Sequence, residues 1–153
     1  MDVDQLNAII TRAKAATYVG GGMPAPSSRL GSHDIGWAEG DWHYLDSYFG
    51  GTDFLGQEVL WHAGSPVWSM SYYGYIRRAD LIDGERAGAA IKAALAALYG
   101  EGRFLGGFEW DGPHGHYRDA NEGSVAQFRG REAILVGRVE AYALDYFGGL
   151  IRA

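Results

Sequence analysis

The segment from Asp41 to Ile76 constrains this chain most. From Trp42 to Phe49 the residues alternate between two faces. Trp42, Tyr44, Asp46 and Tyr48 share one, and His43, Leu45, Ser47 and Phe49 share the other. Aromatic residues at this density favour strand over helix. Gly50-Gly51 ends the strand. A second run, Phe54 to His62, leads into Ala63-Gly64-Ser65-Pro66, a turn signal. Val67 to Ile76 then reads as a third strand, with Trp68, Met70, Tyr72 and Ile76 on one face. Connections this short imply an antiparallel meander. Large apolar groups on both faces imply a sheet covered over part of each side.

Asp46 stands alone among Trp42, Tyr44 and Tyr48 on its strand face. A buried, unpaired carboxylate costs several kcal/mol, so Asp46 must meet donors or face a polar cleft. It is either a structural carboxylate, bonded to a loop backbone or to Arg29, or a ligand-binding or acid/base group.

The flanking sequence supplies two helices. In Asp4 to Ala16 the residues Leu6, Ile9, Ile10 and Ala13 recur at helical spacing, with Asp2 or Asp4 as N-cap and Gly20-Gly21-Gly22 as the stop. Gly84 to Tyr99, capped by Asp83, is Ala-rich with Ile91, Leu95 and Leu98 as its apolar stripe. Between the first helix and Asp41, the stretch Met23 to Gly40 reads as a long irregular loop. Its Ser27, Ser28 and Arg29 form a donor cluster, suited to an anionic or carbonyl group or to pinning the loop through Glu39 or Asp41. The Gly triplet does not make a phosphate loop, because no Lys-Ser/Thr follows it. Phe104 to Gly112 reads as a short strand or loop, and the residues after Gly123 as a final hairpin around Val136-Gly137-Arg138. His114-x-His116 has the alternation of a metal pair but no assigned third ligand, so it reads as an exposed polar turn and no metal or cofactor is expected. Asp46-Ser47-Tyr48-Phe49-Gly50-Gly51 is echoed by Asp145-Tyr146-Phe147-Gly148-Gly149. The acids sit at different offsets from the Tyr, so the echo reads as repeated strand-ending chemistry, not as a duplicated domain.

The 153 residues fit one domain, residues 1–153, with no Cys for disulfides or thiolate chemistry. A net charge of −6 argues against a nucleic-acid-binding surface for the domain as a whole; Arg77-Arg78 and Arg129/Arg131 are the local basic pairs. The acidic start lacks the basic, apolar build of a signal peptide, and Ala87 to Tyr99 is too short to span a bilayer. A cytoplasmic protein with no membrane association is the expectation.

The chain resembles a bacterial family known only as a domain of unknown function. The resemblance rests on Ala15-Ala16-Thr17-Tyr18 with the Gly run, Ser27-Ser28-Arg29, Asp46-Ser47-Tyr48-Phe49-Gly50-Gly51, Gly56-Gln57-Glu58, Pro66-Val67-Trp68-Ser69-Met70, Tyr72-Tyr73-Gly74, Phe128-Gly130-Glu132 and Tyr146 with Gly148-Gly149. Ser71 stands where that family usually has Asn. Some relatives of this kind follow a helix-turn-helix domain, which implies a sensing role by association and no established activity.

The expected architecture is α+β: a curved antiparallel sheet of about six or seven strands with two helices packed on it. Three functions fit the residues. The first is a small-molecule-binding, sensor-like module. Trp42, Tyr44, Tyr48, Trp68 and Tyr72 would form aromatic walls, and Asp46, Glu58 and Arg29 would orient a cationic or sugar-like ligand. The second is a hydrolase or isomerase using carboxylate acid/base chemistry through Asp46, Glu58, His43 or His62, with no assigned catalytic residue. The third is a protein-interaction domain or homodimer formed through an aromatic edge.

Overall fold

A computed structural model describes residues 1–153. The fold is α+β, with two helices and one continuous antiparallel sheet of nine strands. Helix α1 (Val3–Lys14) is capped by the Asp2 side chain and runs on into a single π-helical turn, Ala15–Val19. Strands β1 (Met23–Ala25), β2 (His33–Glu39), β3 (Trp42–Gly50), β4 (Phe54–His62) and β5 (Ser65–Ile76) follow as a meander. Helix α2 (Gly84–Gly100), capped by Asp83, precedes a second meander of β6 (Phe108–Gly112), β7 (Gly115–Ser124), β8 (Gln127–Val136) and β9 (Val139–Leu150).

The sheet order is β1-β2-β3-β4-β5-β9-β8-β7-β6, so the last strand of each meander pairs with the last strand of the other at the centre. The expectation of six or seven strands was too low. The shortfall lies in two places: Met23 to Gly40 is not an irregular loop but contains β2, paired onto β3 (Ile35 opposite Asp46), and β1, paired onto β2, while β7 runs from Gly115 through residues read as an exposed polar turn. The sequence hides β2 because His33-Asp34 and Gly36 interrupt its apolar alternation; pairing to an already formed β3 decides it. No helix is long and apolar enough to cross a membrane.

Both helices pack on one face of the sheet. Leu6, Ile9, Ile10 and Ala13 of α1 join Ala87, Ala90, Ile91 and Ala94 of α2 in one core with Leu60, Trp68, Tyr72, Ile134 and Tyr142. Alanine lets α2 lie close to the strands, where a larger stripe would hold it off. The opposite face is covered at its β2–β3 end. There Arg29 lies over the Phe49 ring, and its guanidinium donates to Ser47 Oγ at 2.9 Å. Elsewhere that face leaves Leu55, Tyr73 and Phe147 exposed.

The two meanders are copies of one pattern. Tyr44, Asp46, Gly50, Phe54, Gly56, Glu58, Tyr72 and Gly74 correspond to Tyr117, Asp119, Gly123, Phe128, Gly130, Glu132, Tyr146 and Gly148. Register proves the match: Asp46 lies opposite Glu58 and Asp119 opposite Glu132, while Phe54 faces Gly74 and Phe128 faces Gly148. Tyr72 and Tyr146 lie opposite each other on β5 and β9, so a quasi-twofold axis passes between them. Gly50, the last residue of β3, and Gly123, the residue before the last of β7, have φ of +90° and +93°, and a Cβ at either would sit 2.1 Å from a carbonyl oxygen. The echo noticed in the sequence therefore pairs the wrong residues. Asp145 points away from the helices and binds Arg131, whereas the true counterpart of Asp46 is Asp119.

Candidate functional site

A cavity of about 280 Å³ lies between the helices and the face of the sheet that they cover, spanning the quasi-dyad. Its sheet side carries Tyr44, Asp46, Tyr48, Glu58, Met70 and Tyr72 from the first half, and Tyr117, Asp119, Glu132, Tyr142, Leu144 and Tyr146 from the second. Lys14, Tyr18, Ile91, Leu95 and Tyr99 face them from the helices. Gly50, Gly51 and Thr52 in the β3–β4 turn are exposed lining residues. Thr52 lies against Gly84, and Gly88 is one turn further along α2. The cavity reaches the surface between these small residues.

Four carboxylates stand in this apolar space, and each is 5–6% exposed. Two glycines make half of the arrangement possible. The Tyr72 side chain crosses β4 above Gly56 to donate to Asp46 Oδ1 at 2.6 Å, and Tyr146 crosses β8 above Gly130 to donate to Asp119 Oδ1 at 2.7 Å. A Cβ on Gly56 or Gly130 would lie 2.3 Å from the tyrosine hydroxyl, so any other residue would block the crossing. Asn121, the counterpart of Tyr48, adds a second donor to Asp119 at 2.9 Å. Glu132 accepts from Tyr117 at 2.5 Å and Tyr142 at 2.9 Å. Glu58 is held by the Lys14 ammonium at 2.6 Å, in a pair whose two side chains are both buried. No buried side-chain nitrogen or oxygen lacks a partner.

Burial dominates the electrostatics. It raises Glu132 to about 7 against the two tyrosine hydrogen bonds that stabilise its anion. Burial and then the Glu58 charge raise Asp46, with Tyr72 and Lys14 opposing. Asp119 is also raised by burial, against Tyr146 and Asn121. One ammonium cannot neutralise four carboxylates, so near neutral pH part of the cluster carries protons. Burial, reinforced by these carboxylates, pushes the Tyr44, Tyr117 and Tyr142 phenols well above their usual value, and they stay protonated as donors.

The structure brings together Tyr44, Asp46, Tyr48, Glu58 and Tyr72 of the residues singled out in the sequence. Trp68 lies beneath them, fully buried, with its indole N–H donating to the Val125 carbonyl at 3.2 Å. Trp42 sits at the start of β3 against His62, outside the lining. Arg29 is on the opposite face of the sheet. It bonds Ser47, not Asp46, Glu39 or Asp41, and Glu39 pairs with Arg12. Ser28, Ser32 and Ser47 converge on Asp34 and outweigh its burial, lowering it to about 2. That cluster fastens the loop before β2 to β3. His43 is exposed on that opposite face and does not meet Asp46. His116 lies between Asp111 and Glu109 on the exposed β6–β7 hairpin, and no group of three or more His, Cys, Asp or Glu side chains is placed so that it could hold a metal ion.

Sequence reasoning missed Lys14, Tyr18, Tyr99 and the whole second half of the cavity. The readable signal was the spaced repeat Tyr-x-Asp, Phe-x-Gly-x-Glu and Tyr-aromatic-Gly, which recurs with one extra residue between Gly123 and Phe128.

Residues 46–151 match the family model of a domain of unknown function, DUF5680. The chain belongs to that family. The match runs from within β3 through β4, β5, α2 and the second meander, with Asp46, Glu58, Asp119 and Glu132 all inside it, while Lys14, β1, β2 and Tyr44 precede it. No curated protein and no solved structure matches the chain.

Proposed function

We propose that this chain is a small-molecule-binding, sensor-like module whose ligand occupies the cavity on the quasi-dyad. One observation carries the reading: an apolar, tyrosine-walled space holds four inward carboxylates where a folding core would place hydrocarbon. Keeping charges there costs stability that close-packed apolar residues would not. Ligand pockets have this composition, mostly apolar with a few convergent polar groups.

Gly88 supports the same reading. It sits inside α2, where glycine costs about 1 kcal/mol relative to alanine, yet a Cβ there would touch nothing within 4 Å. The open space beside it belongs to the cavity mouth. Thermal-shift screening of the protein against metabolites, sugars, amines and nucleosides tests the proposal. A ligand at about 100 times its Kd adds about 2.7 kcal/mol, a shift of several degrees at this size. Gly88→Leu should keep the fold and abolish the shift. A hit that survives Gly88→Leu unchanged would place binding elsewhere.

A second reading, acid/base catalysis, draws on the Asp46–Glu58 pair. The two acids are opposite each other in register but differently held, one by a phenol and one by an ammonium, as a proton donor and acceptor would need. Product analysis on any ligand found would separate the readings: turnover lost in Asp46→Asn and Glu58→Gln, with binding and fold retained, favours the enzyme.

A further inference from the structure

The quasi-dyad turns one half of the cavity into a template for the other. Helix α1 starts after Asp2 and helix α2 after Asp83, and their residues correspond: Ile10 with Ile91, Ala13 with Ala94, Tyr18 with Tyr99. At equal distance past the two caps stand Lys14 and Leu95, and both line the cavity. In the first half the Lys14 ammonium, 4% exposed, lies 2.6 Å from Glu58 and 5.4 Å from the centre of the Phe104 ring. The protein thus shows how this cavity houses an alkylammonium: one carboxylate, one aromatic face, and tyrosines around them. In the second half Glu132 stands where Glu58 does and Asp119 where Asp46 does, but the helix offers Leu95 in place of a lysine. Both carboxylates are held by neutral donors, Glu132 by Tyr117 and Tyr142 and Asp119 by Tyr146 and Asn121, and neither is bonded to a cation; Arg103, whose charge also acts on Asp119, is itself paired with Glu101.

We infer that the ligand carries a protonated amine, whose ammonium sits against Asp119 and Glu132 as the Lys14 ammonium sits against Glu58. The inference rests on the cavity being the ligand site. It goes further by naming the ligand class, a compact organic amine, and the half of the cavity that takes its charge. Tyr99 and Tyr146 would flank the ammonium, and the walls at Leu95 and Leu144 would cover the rest of the molecule. Charge balance points the same way. The groups facing Glu132 are Tyr117 and Asp119 on β7, Tyr142 and Tyr146 on β9, Tyr99 on α2, and Tyr18 and Lys14 from the first helical segment. Lys14 is the only cation among them, and it is already bonded to Glu58.

The test is calorimetric titration of the whole chain at pH 8 with tyramine and 1,4-diaminobutane, each beside its neutral alcohol, tyrosol and butane-1,4-diol. At least one amine should bind tenfold or more tightly than its alcohol. Leu95→Lys supplies the missing ammonium from the protein and should weaken that amine at least tenfold. Glu132→Gln, which keeps the shape and an acceptor, should do the same if Leu95→Lys does not fold. Equal binding of amine and alcohol, both lost in Gly88→Leu, would overturn the ammonium inference and leave the cavity reading standing. Amine binding that persists in Gly88→Leu would belong to the acidic surface and overturn it also. If neither amine binds while the wider screen finds another cavity ligand, the inference fails and the proposed function does not.

Discussion

Gly56→Ala adds one methyl group to a strand, where alanine is ordinarily tolerated as well as glycine or better. Here the sign should reverse. The new Cβ would lie 2.3 Å from the Tyr72 hydroxyl, 2.5 Å from Cζ of its ring and 2.7 Å from Tyr48 Cβ. The ring cannot share that space, so Tyr72 must leave its path across β4. Two losses follow. Overpacking of a filled site costs about 1–3 kcal/mol. Loss of the phenol donor to Asp46 costs a further ~1.5–3 kcal/mol as a bond to a buried acid. The expected destabilisation is therefore about 3–5 kcal/mol, a large fraction of the stability of a domain this size. Urea unfolding followed by tryptophan fluorescence measures it. Gly36 on β2 provides the control, since its Cβ would have 3.7 Å to the nearest atom and Gly36→Ala should be neutral or stabilising. The decisive step is a double-mutant cycle. In a Tyr72→Ala background only the 2.7 Å approach to Tyr48 Cβ remains, and Gly56→Ala should cost at least about 1 kcal/mol less than in the wild type. If Gly56→Ala is nearly neutral in the wild type, or costs as much without Tyr72 as with it, the crossing tyrosine is not what selects this glycine.

The ionisation of the cavity makes stability fall as pH rises. Glu132 is raised from its ordinary 4.5 to about 7, so between these values the native state holds a proton that the unfolded chain has released. Its contribution is present below the unfolded value and is lost as pH climbs through about 7, a span worth roughly 3 kcal/mol. Asp46 and Asp119 are raised as well and push the same way. Thermal melts at pH 5 and pH 8 should show the higher Tm at pH 5, and Glu132→Gln should reduce the difference; a flat profile would refute the raised value. His116, hydrogen-bonded to Glu109 and Asp111, should titrate above the usual histidine range in a proton NMR titration, and Glu109→Gln should bring it down. A cation bound near Glu132 competes with that proton, so amine affinity should rise from pH 6 to pH 8 while the amine stays protonated; affinity that falls over this range would speak against a carboxylate partner.

Much of the architecture follows from local pattern alone. The alternation through Trp42–Phe49 and Val67–Ile76, with Gly pairs and a Gly-Ser-Pro turn between, dictates antiparallel strands whatever the rest of the chain does. The spacing of Leu6, Ile9, Ile10 and Ala13, and the caps at Asp2 and Asp83, dictate two helices. Asp46 could be singled out for the same local reason: a carboxylate on an aromatic strand face must find a partner. The partner's identity is not a local property. Tyr72 reaches Asp46 because β4 between them carries a glycine at the crossing point, and that depends on the register of three strands at once. The weak strand β2 forms because β3 offers it an edge, and Arg29 turns to the outer face because β2 brings Asp34 beside Ser47. The second half of the cavity was legible only as a spaced repeat, and the tempting echo at Asp145 lies one strand face away from the true one. The sequence by itself determined the two helices and the strands β3, β4, β5, β8 and β9, though not β1, β2 or β7, and that the strand faces carry acid among aromatics. Only the tertiary structure decided that β5 and β9 pair. That pairing brings two acid clusters distant in the chain onto one face and leaves Lys14 alone among four carboxylates. Pairing between distant strands is set by the packing of the whole sheet, which no local run of residues encodes.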